Sequence, residues 1–145
     1  MSQGLKTKRI IVLNIFLIGF LFSQTRDYVE SVHENGMPKI VTVVKESKNR
    51  IIVMKRTYWY ENGQKKSVSN YKDGGLPGMI RAIADGKFTE WYENGQKKLE
   101  GHYETNRAEG KWTEWDENGR IMEEQYYKMG ELKDWKITTI RKLSD

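Results

Sequence analysis

The sequence predicts an all-β fold, built from tandem antiparallel hairpins that form one elongated repeat sheet. Three observations carry that expectation. The phrase Trp-Tyr-Glu-Asn-Gly-Gln-Lys-Lys stands at Trp59–Lys66 and again at Trp91–Lys98, with a weaker copy at Trp115–Arg120 and a remnant at His33–Gly36. The four Asn-Gly pairs are separated by 27, 32 and 24 residues, which marks an internal repeat. The chain is also rich in strand- and turn-forming residues: 12% aromatic, with 8 Tyr and 5 Trp, 13 Gly and only 2 Pro.

Asn-Gly between aromatic or alternating runs is the strongest short signal for a β-hairpin. Asn35-Gly36, Asn62-Gly63, Asn94-Gly95 and Asn118-Gly119 are therefore expected as hairpin tips, with Pro38 disturbing the pairing after the first. A two-residue type I′ turn needs positive φ at both central positions, which Gly adopts freely and Asn tolerates. That turn sets a register. Tyr60 would face Lys65 and Trp59 would face Lys66. Tyr92 would face Lys97 and Trp91 would face Lys98. Asp116 would face Ile121 and Trp115 would face Met122. Such pairs let a lysine stem cover a ring while its ammonium stays wet.

A second, Gly-containing turn closes each unit. Tyr71–Gly74 and Tyr127–Gly130 are similar phrases, and Tyr103–Gly110 reads as a longer one. Gly86 and Gly110 then open the next strands. The 32-residue step is accommodated by an insertion at Gly74–Asp85, in which Met79–Ala84 has the composition of a short helical turn. The insertion reads as a tolerated loop or as a binding element on one face. Lys39–Lys45 and Arg50–Arg56 form a strongly β-branched hairpin suited to an N-terminal cap, and Trp135–Leu143 reads as a closing strand. The units fall at about 28–55, 56–85, 86–109 and 110–133, with the closing strand at 134–145. On the expected register Trp59, Trp91 and Trp115 share one face, whereas Tyr58, Tyr60, Phe88, Tyr92 and Trp112 share the other. Bulged strands or two partly covered faces would both explain that distribution.

The N-terminal 23 residues read as a separate signal segment, in helical form. Lys6, Lys8 and Arg9 precede thirteen mostly apolar residues, Ile10–Phe22, and a polar stretch follows. That is the order of a secretory signal, and thirteen residues are short for a permanent span. The mature domain is expected to be 24–145, exported to the periplasm or beyond. The alternative is an inner-membrane anchor through uncleaved residues 10–22.

The chain's formal net charge is +5, but residues 1–23 carry three bases and no acid. The remainder holds 22 basic against 20 acidic residues. Nucleic-acid binding, which needs a one-signed basic field, is not expected. Cysteine is absent and only His33 and His102 are present, so no disulfide, thiol chemistry, metal site or cofactor is expected. No hydrolase, phosphate-loop or metalloprotease motif occurs. Glu123 and Glu124 would point to opposite faces of a strand and could not converge. The expectation is a non-enzymatic binding protein. Its candidate binding residues are Trp59, Tyr60, Lys65, Trp91, Tyr92, Lys97 and Trp115.

The pattern Gly-Lys-x-x-x-Trp-Tyr-Glu-Asn-Gly-Gln-Lys-Lys-x-x-x-x-Tyr at Gly86–Tyr103 resembles the MORN-variant repeat, many bacterial examples of which carry the label of YwqK-type antitoxins. The resemblance spans roughly Tyr28 to Trp135. It implies stacked β-hairpins and a role in scaffolding or near membranes. Three readings follow. The first is an exported module holding a protein partner of the cell envelope, with membrane contact only through the signal segment or weakly at the surface. The second is a cell-wall or carbohydrate binder that uses exposed Trp and Tyr. The third is an antitoxin-like inhibitor of a toxin, which conflicts with an export signal unless the toxin is exported too.

Overall fold

A computed structural model describes residues 25–47, 50–74 and 82–137. These form nine antiparallel strands in one sheet, ordered as in the sequence. They are β1 Thr25–Val32, β2 Pro38–Ser47, β3 Arg50–Trp59, β4 Lys65–Asp73, β5 Ala82–Trp91, β6 Lys97–Glu104, β7 Arg107–Trp115, β8 Ile121–Lys128 and β9 Glu131–Ile137. Every neighbour in the sheet is a neighbour in sequence, so the chain is a pure meander. The signal segment, the middle of the insertion and the last part of the expected closing strand lie outside the described residues.

The four Asn-Gly tips sit at one end of the sheet, but they are not type I′ turns. Gly36, Gly63, Gly95 and Gly119 have φ between 79° and 85°, whereas none of the four Asn has positive φ. In each tip the Gly N–H donates to the carbonyl three residues earlier, as in Gly63 to Tyr60 at 3.1 Å and Gly95 to Tyr92 at 3.0 Å. The residue before Glu then pairs with the residue after Gly, Tyr60 N–H donating to Gln64 O at 2.8 Å. This is a three-residue loop: a type I turn closed by a left-handed glycine.

The extra loop residue moves the register by one. Trp59 faces Lys65, Trp91 faces Lys97 and Trp115 faces Ile121, not the residues one further on. Tyr60, Tyr92 and Asp116 pair with Gln64, Gln96 and Arg120 across the tips. A bulge just inside each tip, between Tyr58 and Trp59, Glu90 and Trp91, and Glu114 and Trp115, restores the alternation. Bulges thus account for part of the aromatic distribution.

Type I′ geometry occurs at the opposite end of the sheet instead. Thr105 (φ 50°) and Asn106 (φ 63°) join β6 to β7, and Met129 (φ 55°) and Gly130 (φ 86°) join β8 to β9. The expected long turn at Tyr103–Gly110 is therefore a two-residue one. Gly86 and Gly110 do not open strands; they lie inside β5 and β7 with positive φ. Ala82–Asp85 is strand, not helix. Pro38 pairs with Val32, and the register shifts twice between Val29 and Val32, so the pairing beside the first tip is irregular, as expected. The β2–β3 hairpin forms as expected, but β1 lies outside it, so it is not the terminal cap. The last strand starts at Glu131, earlier than expected.

A one-layer sheet buries little. Among the described residues the buried hydrophobics are Val44, Val53 and Trp112, and Thr42, Thr57, Thr89 and Thr113 are buried with them. The densest packing lies where Trp112 stacks on Phe88 (centroids 5.8 Å apart) and meets Tyr103 (4.9 Å) and Tyr127 (6.3 Å) edge-on. Edge-to-face aromatic pairs of this kind contribute about 0.5–1.5 kcal/mol each beyond area burial.

Candidate functional site

The repeated residues divide into those that join units and those that line a face. Each of the first three tip asparagines does two things. Its Oδ1 accepts the backbone N–H two residues on: Met37, Gln64 and Gln96 at 2.9 Å. Its Nδ2 donates to the glutamate carbonyl of the next tip: Asn35 to Glu61 at 3.0 Å, Asn62 to Glu93 at 3.1 Å and Asn94 to Glu117 at 3.0 Å. The preceding side chain makes a parallel link. His33 Nε2 donates to Trp59 O at 2.9 Å, Tyr60 Oη to Trp91 O at 2.9 Å and Tyr92 Oη to Trp115 O at 2.8 Å. A carbonyl only accepts, so His33 carries its proton on Nε2 here. In the last tip Asp116 replaces the tyrosine. Its Oδ1 turns inward, accepting from Asn118 N and Arg120 N at 2.9 Å each, and these bonds hold its carboxyl below the ordinary aspartate range.

The far end of the sheet is laced the same way. Asn106 N–H donates to Ala84 O at 2.8 Å and Gly130 N–H to Ala108 O at 2.9 Å. Asp85 accepts from Thr105 N at 3.2 Å and Glu109 from Met129 N at 2.6 Å. Tyr60 and Tyr92, two of the expected binding residues, therefore serve as ties between units. Burial raises both phenols above their ordinary value. Lys66 and Lys98 cap their rings at 5.5 and 5.9 Å.

The other candidates converge on the opposite face. Alternation along β3 puts Lys55, Thr57 and Trp59 on one side of the sheet. An open hollow of about 470 Å³ lies there, lined by three rows across β1 to β5. One row is Asp27, Val43, Lys55, Asn70 and Lys87. The next is Val41, Thr57, Val68 and Thr89, and the third is Trp59, Lys65 and Trp91. Lys65 Nζ stands 5.8 Å over the Trp59 ring. The structure thus brings Trp59, Lys65 and Trp91 together. It leaves Lys97 and Trp115 beside the hollow, where Lys97 Nζ covers Trp115 at 5.4 Å and pairs with Glu100 at 2.9 Å.

Sequence reasoning missed Lys55, Val68 and Lys87. The signal was present in the repeat itself. Three positions before each tip's Tyr or Asp comes Thr57, Thr89 or Thr113, and two before that comes Lys55, Lys87 or Lys111. The strand that follows the tip carries Val68, Glu100 or Glu124 opposite the threonine. Lys87 pairs with Glu100 at 2.9 Å and Lys111 with Glu124 at 2.8 Å. Lys55 has Val68 as its diagonal neighbour where its cognates have glutamate, and among the described residues its side chain has no ionic or hydrogen-bonded partner.

Comparison with known proteins agrees with this division into units. Residues 53–73, 84–105 and 108–129 match the family model of the MORN repeat variant. The three segments are similar to that repeat. They cover β3–β4, β5–β6 and β7–β8. Repeats of this kind generally serve as protein- or membrane-binding modules. No curated protein and no solved structure matches the chain. Among the described residues no group of His, Asp and Glu is arranged to hold a metal ion, and no helix is long and apolar enough to cross a membrane.

Proposed function

We propose that this protein is an exported interaction module that holds a protein partner of the cell envelope across the hollow face of its sheet. The observation that carries this reading is the hollow, where Trp59, Trp91, Val41, Val43 and Val68 meet three lysines on an uncovered layer. Interfaces favour such a mixture of aromatic anchors and polar rim. Export is supported by the charge and length pattern of residues 1–23. The rings favour a protein partner over a sugar, because Lys65 already occupies the Trp59 face on which a sugar would stack.

Fractionation and crosslinking test the two parts. The full-length chain is expected in the envelope fraction, and a chain lacking residues 2–23 in the cytoplasm. A photoreactive residue at Asp27, on the rim of the hollow, is expected to yield a discrete protein adduct in that fraction, and the same residue at Glu61 on a tip is not. Full-length protein confined to the cytoplasm would overturn export. Absence of any adduct at position 27 would overturn the binding face.

A further inference from the structure

The first matched segment departs from the other two at Val68, and the consequences fall together in space. Glu100 serves two lysines at 2.9 Å each, Lys87 across the strand pair and Lys97 three residues before it. Their equivalents one unit earlier are Lys55 and Lys65, and the equivalent of Glu100 is Val68. On its other side, Thr57 faces Val41, again without a carboxylate. Two ammonium groups that the repeat elsewhere neutralises are thus left over branched methyl groups. Both Lys55 and Lys65 are exposed, and both line the hollow.

We infer that Lys55 and Lys65, over the floor of Val41, Val43 and Val68, form a docking site for an acidic segment of a protein partner, in which carboxylates alternate with apolar side chains. The inference rests on the binding role given above and names the chemistry of its ligand. The incoming carboxylates take the place that Glu100 and Glu124 fill in the later units. The apolar side chains cover the valines and the flank of Trp91. The lining holds Lys55, Lys65 and Lys87 against Asp27, and Lys87 is already paired with Glu100. Complementary charge of this kind selects the partner and speeds encounter.

The repeat itself supplies the test. Val68→Glu introduces the residue that the next two units carry at this position, so the sheet accommodates it. The probe is the capped peptide Glu-Leu-Glu-Glu-Leu-Glu, followed by NMR of the lysine side chains. The peptide is expected to shift Lys55 and Lys65, and Val68→Glu to weaken binding at least about tenfold, equivalent to about 1.4 kcal/mol. Glu100→Val frees Lys87 and Lys97 and is expected to create a second site of similar affinity. Equal affinity for wild type and Val68→Glu would overturn the inference. So would peptide shifts confined to other lysines, or binding to phosphatidylglycerol vesicles or polygalacturonate without binding to the peptide. The two readings separate cleanly. If the position-27 adduct forms undiminished with Val68→Glu, the binding face stands and the acidic-segment site falls.

Discussion

Gly101 lies directly beneath the indole of Trp112. A Cβ on Gly101 would stand 2.1 Å from Trp112 Cδ2 and 2.3 Å from Cε2. Its backbone has ordinary φ, so the glycine is required by the ring and not by the turn. Neighbouring units carry Ser69 and Gln125 at this position, paired with Phe88 and Trp112 in turn.

Gly101→Ala is therefore expected to destabilise by about 1–3 kcal/mol through overpacking, because Trp112 is held between Phe88, Tyr103 and Tyr127 and cannot retreat. Urea unfolding followed by tryptophan fluorescence measures the loss. Gly101→Ala combined with Trp112→Leu should lose less than the two single changes added together, since the clash disappears with the ring.

The ties between units can be separated from the turns they decorate. Tyr92→Phe removes only the link to Trp115 O and should cost about 0.5–1.5 kcal/mol. Asn94→Asp keeps the Oδ1 bond to Gln96 N but removes the Nδ2 donor to Glu117 O. It should lower stability, whereas Asn118→Asp should do much less, since no following tip receives its amide among the described residues. Thermal unfolding of the two variants side by side checks the asymmetry.

Glu100 gives the fold an acid-sensitive joint. Burial pushes its carboxyl up, but hydrogen bonds from Lys97 and Lys87 outweigh that and leave it below the ordinary glutamate range. A carboxyl depressed in the folded state contributes stability above the unfolded value, about pH 4.3, and loses it as pH falls through the folded value. Glu100→Gln is expected to lower Tm at pH 7, and the gap to wild type to narrow as pH falls through the folded value. A constant difference from pH 7 to pH 2 would show that the ion pairs are not its source.

The glycines of the tips are required by their backbone. Gly63→Ala forces an L side chain into φ 82° and is expected to cost about 1–2 kcal/mol. Asn62→Gly relieves no backbone strain, because Asn62 is not at positive φ, and its cost is that of the lost side-chain bonds to Gln64 N and Glu93 O.

That last contrast shows where the sequence was legible and where it was not. Hairpin order, the four tips and the all-β sheet followed from Asn-Gly spacing and alternation. The turn type did not, because Asn-Gly fits two loops that differ by one residue. The asparagine side chain decides between them by bonding Gln64 N and Glu93 O, and that second partner is 31 residues away. The type I′ turn at Thr105-Asn106 was hidden for the same reason. It carries no glycine and is held by Ala84 and Asp85 of the preceding unit. In the hollow, Trp59, Lys65 and Trp91 were singled out by their repetition. Lys55 was missed because its meaning lies in Val68, a residue notable only beside Glu100 and Glu124.

Successive hairpin tips joined side chain to backbone into one row are the structural core of this account. Nuclear Overhauser contacts from the Asn62 and Asn94 side-chain amides test it most directly. The account predicts cross-peaks from Asn62 Hδ2 to Glu93 and Asn94, and from Asn94 Hδ2 to Glu117 and Asn118. Side-chain amides that contact only their own turns, in a sheet whose strands are otherwise paired, would contradict it.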